Sequence, residues 1–156
     1  MTTRIIFTIT LLAYAMIASQ AFMYMLSLKQ VQLNLGADSY TEMRKLTDAS
    51  MRANFKYVIY AALLANLLLV MVTAKTPGSL VFITAIVALV ALVAEILLTV
   101  KGNLPINDVI NSWSAETLPA NWESYREKWF AIFQYRQMAG ITGFVSLVIG
   151  AVFGQK

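Results

Sequence analysis

Apolar residues fall along this chain in four long runs, and charges and helix-breaking residues collect in the stretches between them. Residues 5–28 are 24 positions without a charge, 57–74 are 18, and 137–154 are another 18. Residues 78–100 are 23 positions with Glu95 as their one charge. Each run comes close to the ~20 apolar residues a helix needs to cross a bilayer. Lys75-Thr76-Pro77-Gly78 predicts a tight turn, so the second and third runs are antiparallel neighbours. Arg4 ahead of the first run, with Ala13-Tyr14-Ala15 inside it, has the outline of a secretion signal. The run continues to Leu28, too long for a signal core, and is expected to be a retained first transmembrane helix.

The stretches between the runs are patterned too. Ser39-x-x-Glu42 predicts a capping box at a helix start. Beyond it Tyr40, Met43, Thr47, Met51 and Phe55 recur at helical spacing, with Arg44, Lys45, Asp48 and Arg52 on other faces. This segment reads either as an amphipathic helix at the membrane interface or as a solvated helical arm. Within residues 103–120, Ile106, Val109, Ile110 and Trp113 predict a short amphipathic helix. Asn121, after Pro119, suits the N-cap of a last helix that enters the membrane near Phe133. The expected fold is all-α: a polytopic four-transmembrane-helix bundle with an amphipathic helix in loop 1 and a short helix in loop 3. It forms a single domain over residues 1–156, with helices at about 3–29, 55–74, 78–101 and 121–154.

Composition narrows the function classes. The chain is 59% hydrophobic and 13% charged, half the ~25% charge of a soluble domain. It has no cysteine, which excludes disulfides, thiol nucleophiles and thiolate metal sites. It has no histidine, which removes the commonest metal ligand, imidazole ligation of haem and the usual general base. No metal and no cofactor are expected. The net charge of +4 belongs beside membrane spans, where basic residues set topology or meet anionic headgroups; no nucleic-acid partner is expected. Lys29, Arg44, Lys45, Arg52, Lys56, Lys101, Arg126, Lys128 and Arg136 lie in or beside the first and third loops, and only Arg4, Lys75 and Lys156 at the other side. The positive-inside rule then predicts a multi-pass protein of the cell membrane with both long loops cytoplasmic and both termini outside.

Charge inside an apolar run is rare without a reason. From Arg126, steps of three and four give Trp129, Phe133, Arg136, Gly140, Gly143, Leu147, Gly150 and Gly154, one face of a helix. Small residues on such a face let helix backbones approach, so it is expected to pack on another helix within the chain and to aim Arg136 inward. Glu95 lies at matching depth and is the expected partner of Arg136. Gln20, Asn66 and Thr99 are candidates to join them. Two readings stay open: a polar pocket between the helices, open toward the long loops, or a buried ion pair that only fixes register. Trp113, Trp122 and Trp129 fit an interfacial belt, with a pocket rim as the alternative.

Thr99-x5-Pro105-x-Asn107, followed by Trp129-x6-Arg136 at the start of the last span, resembles the anthrone-oxygenase-like family of small four-helix membrane proteins. Residues 40–55 are similar to that family's first loop, so the resemblance spans nearly the whole chain. It implies cofactor-independent oxidation of a phenolic anthrone to a quinone, with Asn107, Trp129 and Arg136 in the site. The family usually carries His or Asn four residues after the tryptophan, where this chain has Phe133. Anthrone oxidation begins with loss of a proton; Phe133 cannot take it, which leaves Glu95 as the candidate catalytic base. Three functions follow as expectations. The first is a non-enzymatic or accessory protein with an intramembrane pocket for a lipophilic small molecule or lipid, or with a role in a membrane assembly. The second is an oxygenase acting on a lipophilic phenol. The third is a small channel or transporter in which a homo-oligomer forms a ring of Glu95. The bilayer is the expected surrounding, and a membrane protein or a second copy the expected macromolecular partner.

Overall fold

The computed structural model of the chain describes residues 2–154. Lys156, placed above among the basic residues opposite the long loops, lies outside the described residues. The described chain is all-helical, and four helices are long and apolar enough to cross a membrane: Thr3–Leu33, Ala37–Thr73, Leu80–Asn111 and Trp122–Phe153. They run to between 31 and 37 residues, or roughly 45–55 Å at ~1.5 Å per residue. A bilayer core is ~30 Å thick, so each helix has length to spare.

Three of the four change register part-way along. In the first, α1 (Thr2–Met23) passes through a π turn, Tyr24–Leu28, into α2 (Lys29–Leu33). In the second, α3 (Ala37–Ser50) passes through a π turn, Met51–Phe55, into α4 (Lys56–Thr73). In the third, α5 (Leu80–Leu98) passes through a π turn, Thr99–Asn103, into α6 (Leu104–Asn111). The fourth, α7 (Trp122–Phe153), is continuous. Pro105, which has no N–H to give, is the second residue of α6, just past the third π turn.

Residues expected as helices set apart within loops are therefore extensions of the long helices. The capping box does not form. Gly36 holds the N-cap position in an extended conformation, α3 begins at Ala37, and Ser39 and Glu42 lie inside it. Asn121 does sit at the N-cap of α7, but without a side-chain bond to the helix. Ser79 caps α5 by accepting from the Phe82 N–H at 3.2 Å. Between α6 and α7 the connection is held by Ser114, whose N–H donates to the Thr117 hydroxyl at 2.7 Å and whose hydroxyl donates to Glu116 at 2.7 Å. That hydroxyl draws the Glu116 carboxyl below its usual range.

Packing divides the molecule into three layers. The largest cluster joins Phe7, Tyr14, Ile17, Ala62, Leu69, Ala88, Leu92 and Leu147 from α1, α4, α5 and α7. A middle cluster joins Tyr24, Trp129, Phe130 and Phe133. A third joins Tyr40, Ile110 and Trp113 from α3, α6 and the connection after it. The first layer holds the four apolar runs; the third is a headpiece beyond them.

The glycine face of α7 packs within the chain. A Cβ added at Gly143 would stand 2.6 Å from the Tyr14 ring, and one at Gly150 would run into the Thr84 hydroxyl. The expected inward direction of Arg136 holds: the side chain is buried, as is every stripe position from Arg126 to Gly150. Two other expectations do not hold. Arg44 and Asp48 are not on a solvated or interfacial face, being 3% and 4% exposed, because α3 turns them toward α6 and α7. Trp113 and Trp129 are buried in the protein rather than arrayed as a belt, since each fills a core layer. Trp122 is half-buried.

Candidate functional site

All three π turns meet at one level, and a cavity of about 260 Å³ opens there. Tyr24 from the first turn, Met51 and Phe55 from the second, and Thr99 and Asn103 from the third all line it. A π turn puts one extra residue into a helix and re-aims the side chains that follow. Each turn thus lets one helix bury an apolar stripe below and present polar side chains above.

Seven of the eight residues singled out from the sequence line this cavity: Gln20, Glu95, Thr99, Asn107, Trp129, Phe133 and Arg136. The eighth, Asn66, lies deeper, in the helix seam. In the amide orientation that engages α5, its oxygen accepts from the Tyr14 hydroxyl (2.6 Å) and the Leu89 N–H (3.0 Å). Its nitrogen then donates to the Ala85 carbonyl (3.1 Å). It acts there as interhelical glue, a usual role for a polar side chain in an apolar bundle.

Glu95 and Arg136 do pair, at 3.7 Å between Oε1 and a guanidinium nitrogen, with both side chains buried. At that separation the contact is an ion pair without a well-formed hydrogen bond. Arg136 gains a true bond from Asn103, whose side-chain oxygen accepts from it at 3.1 Å. Asn103 in turn donates to the Trp129 carbonyl at 2.9 Å. Glu95 Oε2 is buried without a partner. Gly140 makes room for it, since a Cβ there would stand 3.3 Å from that oxygen. The Thr99 hydroxyl is turned back to the Glu95 carbonyl oxygen at 2.8 Å. Gln20 reaches only the Met51 sulfur, at 3.9 Å.

A second network, centred on Asn107, forms the upper wall. Asn107 Oδ1 accepts from the Trp129 indole N–H at 2.8 Å and from Arg44 at 3.1 Å. Its amide nitrogen donates to Asp48 at 2.6 Å. Asp48 also accepts from Asn111 at 2.8 Å and from Arg52 at 2.8 Å, and Arg52 continues to Asp108 at 2.7 Å. The Arg44 guanidinium lies 4.0 Å from the Trp129 ring centroid and donates to the Tyr24 hydroxyl at 3.4 Å. Trp129 stacks on Phe133 with centroids 4.7 Å apart and an 18° interplanar angle, and Arg136 lies 5.1 Å from the Phe133 ring.

Arg44, Asp48, Asn103 and Tyr24 are site residues that sequence reasoning missed. For Arg44 and Asp48 the one signal was a spacing of four residues, which the structure puts on one helical face with Tyr40 and Met51, but charges in an amphipathic segment read as solvated. Asn103 and Tyr24 carried none, because the π turns that aim them leave no mark in a regular periodicity. The residues present can hold a charged or hydrogen-bonding group, through Arg44, Arg136 and Glu95, against stacked aromatic rings. No family model, curated protein or solved structure matches the chain.

Proposed function

We propose that this chain is a multi-pass protein of the cell membrane whose cavity binds a lipophilic small molecule. The observation that carries the reading is the pairing of polar floor and apolar mouth in one cavity. Glu95, Arg136, Arg44 and Asn107 gather at its inner end, while Ile59, Tyr60, Ile96 and Val100 line it toward the outside. Tyr60 and Val100 are 62% and 54% exposed, so the cavity reaches the surface between α4 and the third π turn. Below the opening, away from the headpiece, that surface is apolar, with Leu64, Met71 and Val90 each more than 60% exposed. Such a belt suits lipid, and a side opening in it suits a ligand that arrives through the bilayer. The bundle then sits with its cavity and headpiece toward the cytoplasm and its termini outside, as the distribution of basic residues favours. The loop-side helices α3 and α6 form the cytoplasmic headpiece in this reading.

The test separates ligand binding from a structural ion pair. Removing one partner of a buried pair costs ~3–5 kcal/mol, whereas replacing both by apolar residues is often close to neutral. Glu95→Leu and Arg136→Leu alone should lower thermal stability in detergent. The double variant should recover it, yet lose the lipophilic molecule that native mass spectrometry finds with the wild type. A double variant that retains the same bound molecule rejects the reading.

The unpartnered Glu95 Oε2 favours one second reading, oxidation of a lipophilic phenol in the same cavity. There Glu95 would take the phenolic proton while Arg136 holds the anion, in keeping with the resemblance to the anthrone-oxygenase-like proteins. Oxygen uptake with anthrone-type phenols, abolished in Glu95→Gln, supports it; uptake equal in both proteins rejects it. A ring of Glu95 in an oligomeric channel draws less support, because this carboxylate faces the interior of its own bundle.

A further inference from the structure

Arg44 is the unexplained charge in this molecule. Only 3% exposed, it touches no carboxylate: the ion pairs among the described residues join Arg52 to Asp48 and Asp108, Arg126 to Glu123, and Arg136 to Glu95. Asp48 is reached only through Asn107, and that carboxylate already accepts from Asn107, Asn111 and Arg52. The Trp129 face and the Tyr24 hydroxyl attract a cation but do not neutralise it. A buried guanidinium without a counter-charge is costly, and intramembrane charges are kept where they meet a partner or a substrate.

The remaining groups agree. The Nε of Arg44 and the Nε of Arg136 are both buried without a partner, and both side chains line the cavity. The two guanidiniums lie against successive rings of the Trp129–Phe133 stack, at 4.0 and 5.1 Å. Around the whole cavity stand four basic side chains, Arg44, Arg52, Lys56 and Arg136, and two acidic ones, Asp48 and Glu95. Guanidinium groups bind oxyanions through paired hydrogen bonds, and a low-dielectric wall strengthens the attraction.

We infer that the cavity takes an anionic amphiphile: one oxyanionic head held at Arg44 and Arg136, carried on an apolar chain that leaves between α4 and the third π turn. The inference rests on the reading of the cavity as a ligand site. It adds the charge of the head, the residue that selects it and the direction of the tail. A free fatty acid and an anionic phospholipid share this chemistry.

The full chain in nanodiscs of zwitterionic lipid is titrated with dibrominated stearic acid, ionised, and with its uncharged methyl ester. Saturable quenching of tryptophan fluorescence reads the binding, because bromines on a bound chain lie near Trp129. The acid should bind at least about tenfold more tightly than the ester, the loss expected for one charge-assisted contact. Arg44→Gln should erase that preference, and Arg44→Lys, which keeps the charge, should restore part of it. Arg4→Gln, far from the cavity, should change neither. Nanodiscs with brominated phosphatidylglycerol form the second arm: saturable quenching there, sensitive to Arg44→Gln, supports the same head chemistry with a phospholipid as its source. Equal binding of acid and ester, or a preference that survives Arg44→Gln, overturns the inference while the cavity stays a ligand site. Saturable binding of none of the three probes overturns both.

Discussion

Asn107 is the residue on which the site turns. It accepts from Trp129 and Arg44 and donates to Asp48, so one side chain joins α3, α6 and α7. Truncation would leave three buried polar groups short of a partner, each costing ~1–3 kcal/mol, less what relaxation recovers. Asn107→Ala should cost about 3 kcal/mol, read as a fall in detergent melting temperature. Asn111→Ala should cost under about 1 kcal/mol, because Asn111 is exposed and gives one bond to Asp48. The importance of Glu95 and Arg136 was legible in the sequence, since charges in or beside apolar runs stand out, whereas Asn107 and Trp129 were singled out for the site only by the family resemblance. The importance of Arg44 was not legible there. A charge in an amphipathic segment reads as solvated until its neighbours are known, and here those neighbours come from residues 63 and 85 positions away.

Among the elements, α7 carries the most sequence information. Its stripe of glycines foretold a close helix seam, and the partners are Tyr14 on α1 and Thr84 on α5. Gly143→Val should therefore lower stability by about 2–4 kcal/mol, since a Cβ at 2.6 Å from an aromatic ring forces the helices apart. Gly78→Ala, with nothing within 4 Å of its added carbon, should stay within about 0.5 kcal/mol of the wild type. Equal melting temperatures for the two variants would show that α7 does not pack as described. Helix ends were less legible. Residues 37–56 hold no glycine or proline, and the third helix takes up Gly102 in its π turn and Pro105 just past it, so both helices run on past the apolar stretch that marked them.

At the scale of the whole molecule, the chain is a bundle with a helical headpiece, and the cavity lies where the two join. This arrangement makes the orientation in the membrane testable with few changes, because the chain has no cysteine of its own. Thr76→Cys, in the exposed turn between α4 and α5, should react with a membrane-impermeant maleimide added to intact cells. Glu116→Cys, in the exposed connection after α6, should react only after the membrane is opened. The opposite pattern would invert the proposed orientation while leaving the cavity unchanged. Four helices of membrane-crossing length, and the antiparallel order of the second and third, could be read from hydropathy and one Pro-Gly turn. The headpiece could not, because its core joins Ile110 and Trp113 to Tyr40, on another helix, and no periodicity links those.

The three π turns carry a consequence for how the chain tolerates change in length. A regular helix punishes deletion of a residue, since everything beyond it swings by about 100°. A π turn already holds one residue more than the regular ladder needs, so removing Val100 leaves α5 and α6 free to join as plain α-helix. The bundle below should then survive with its seam intact and Asn107 should keep its direction, because four α-helical steps turn the chain about as far as the five wider ones they replace, while Asn103, inside the turn, is re-aimed away from Arg136. A Val100 deletion that keeps its far-ultraviolet helicity but loses its bound molecule would show the surplus residue to be the site's own. In that sense the binding chemistry here is written in chain length as much as in side chains.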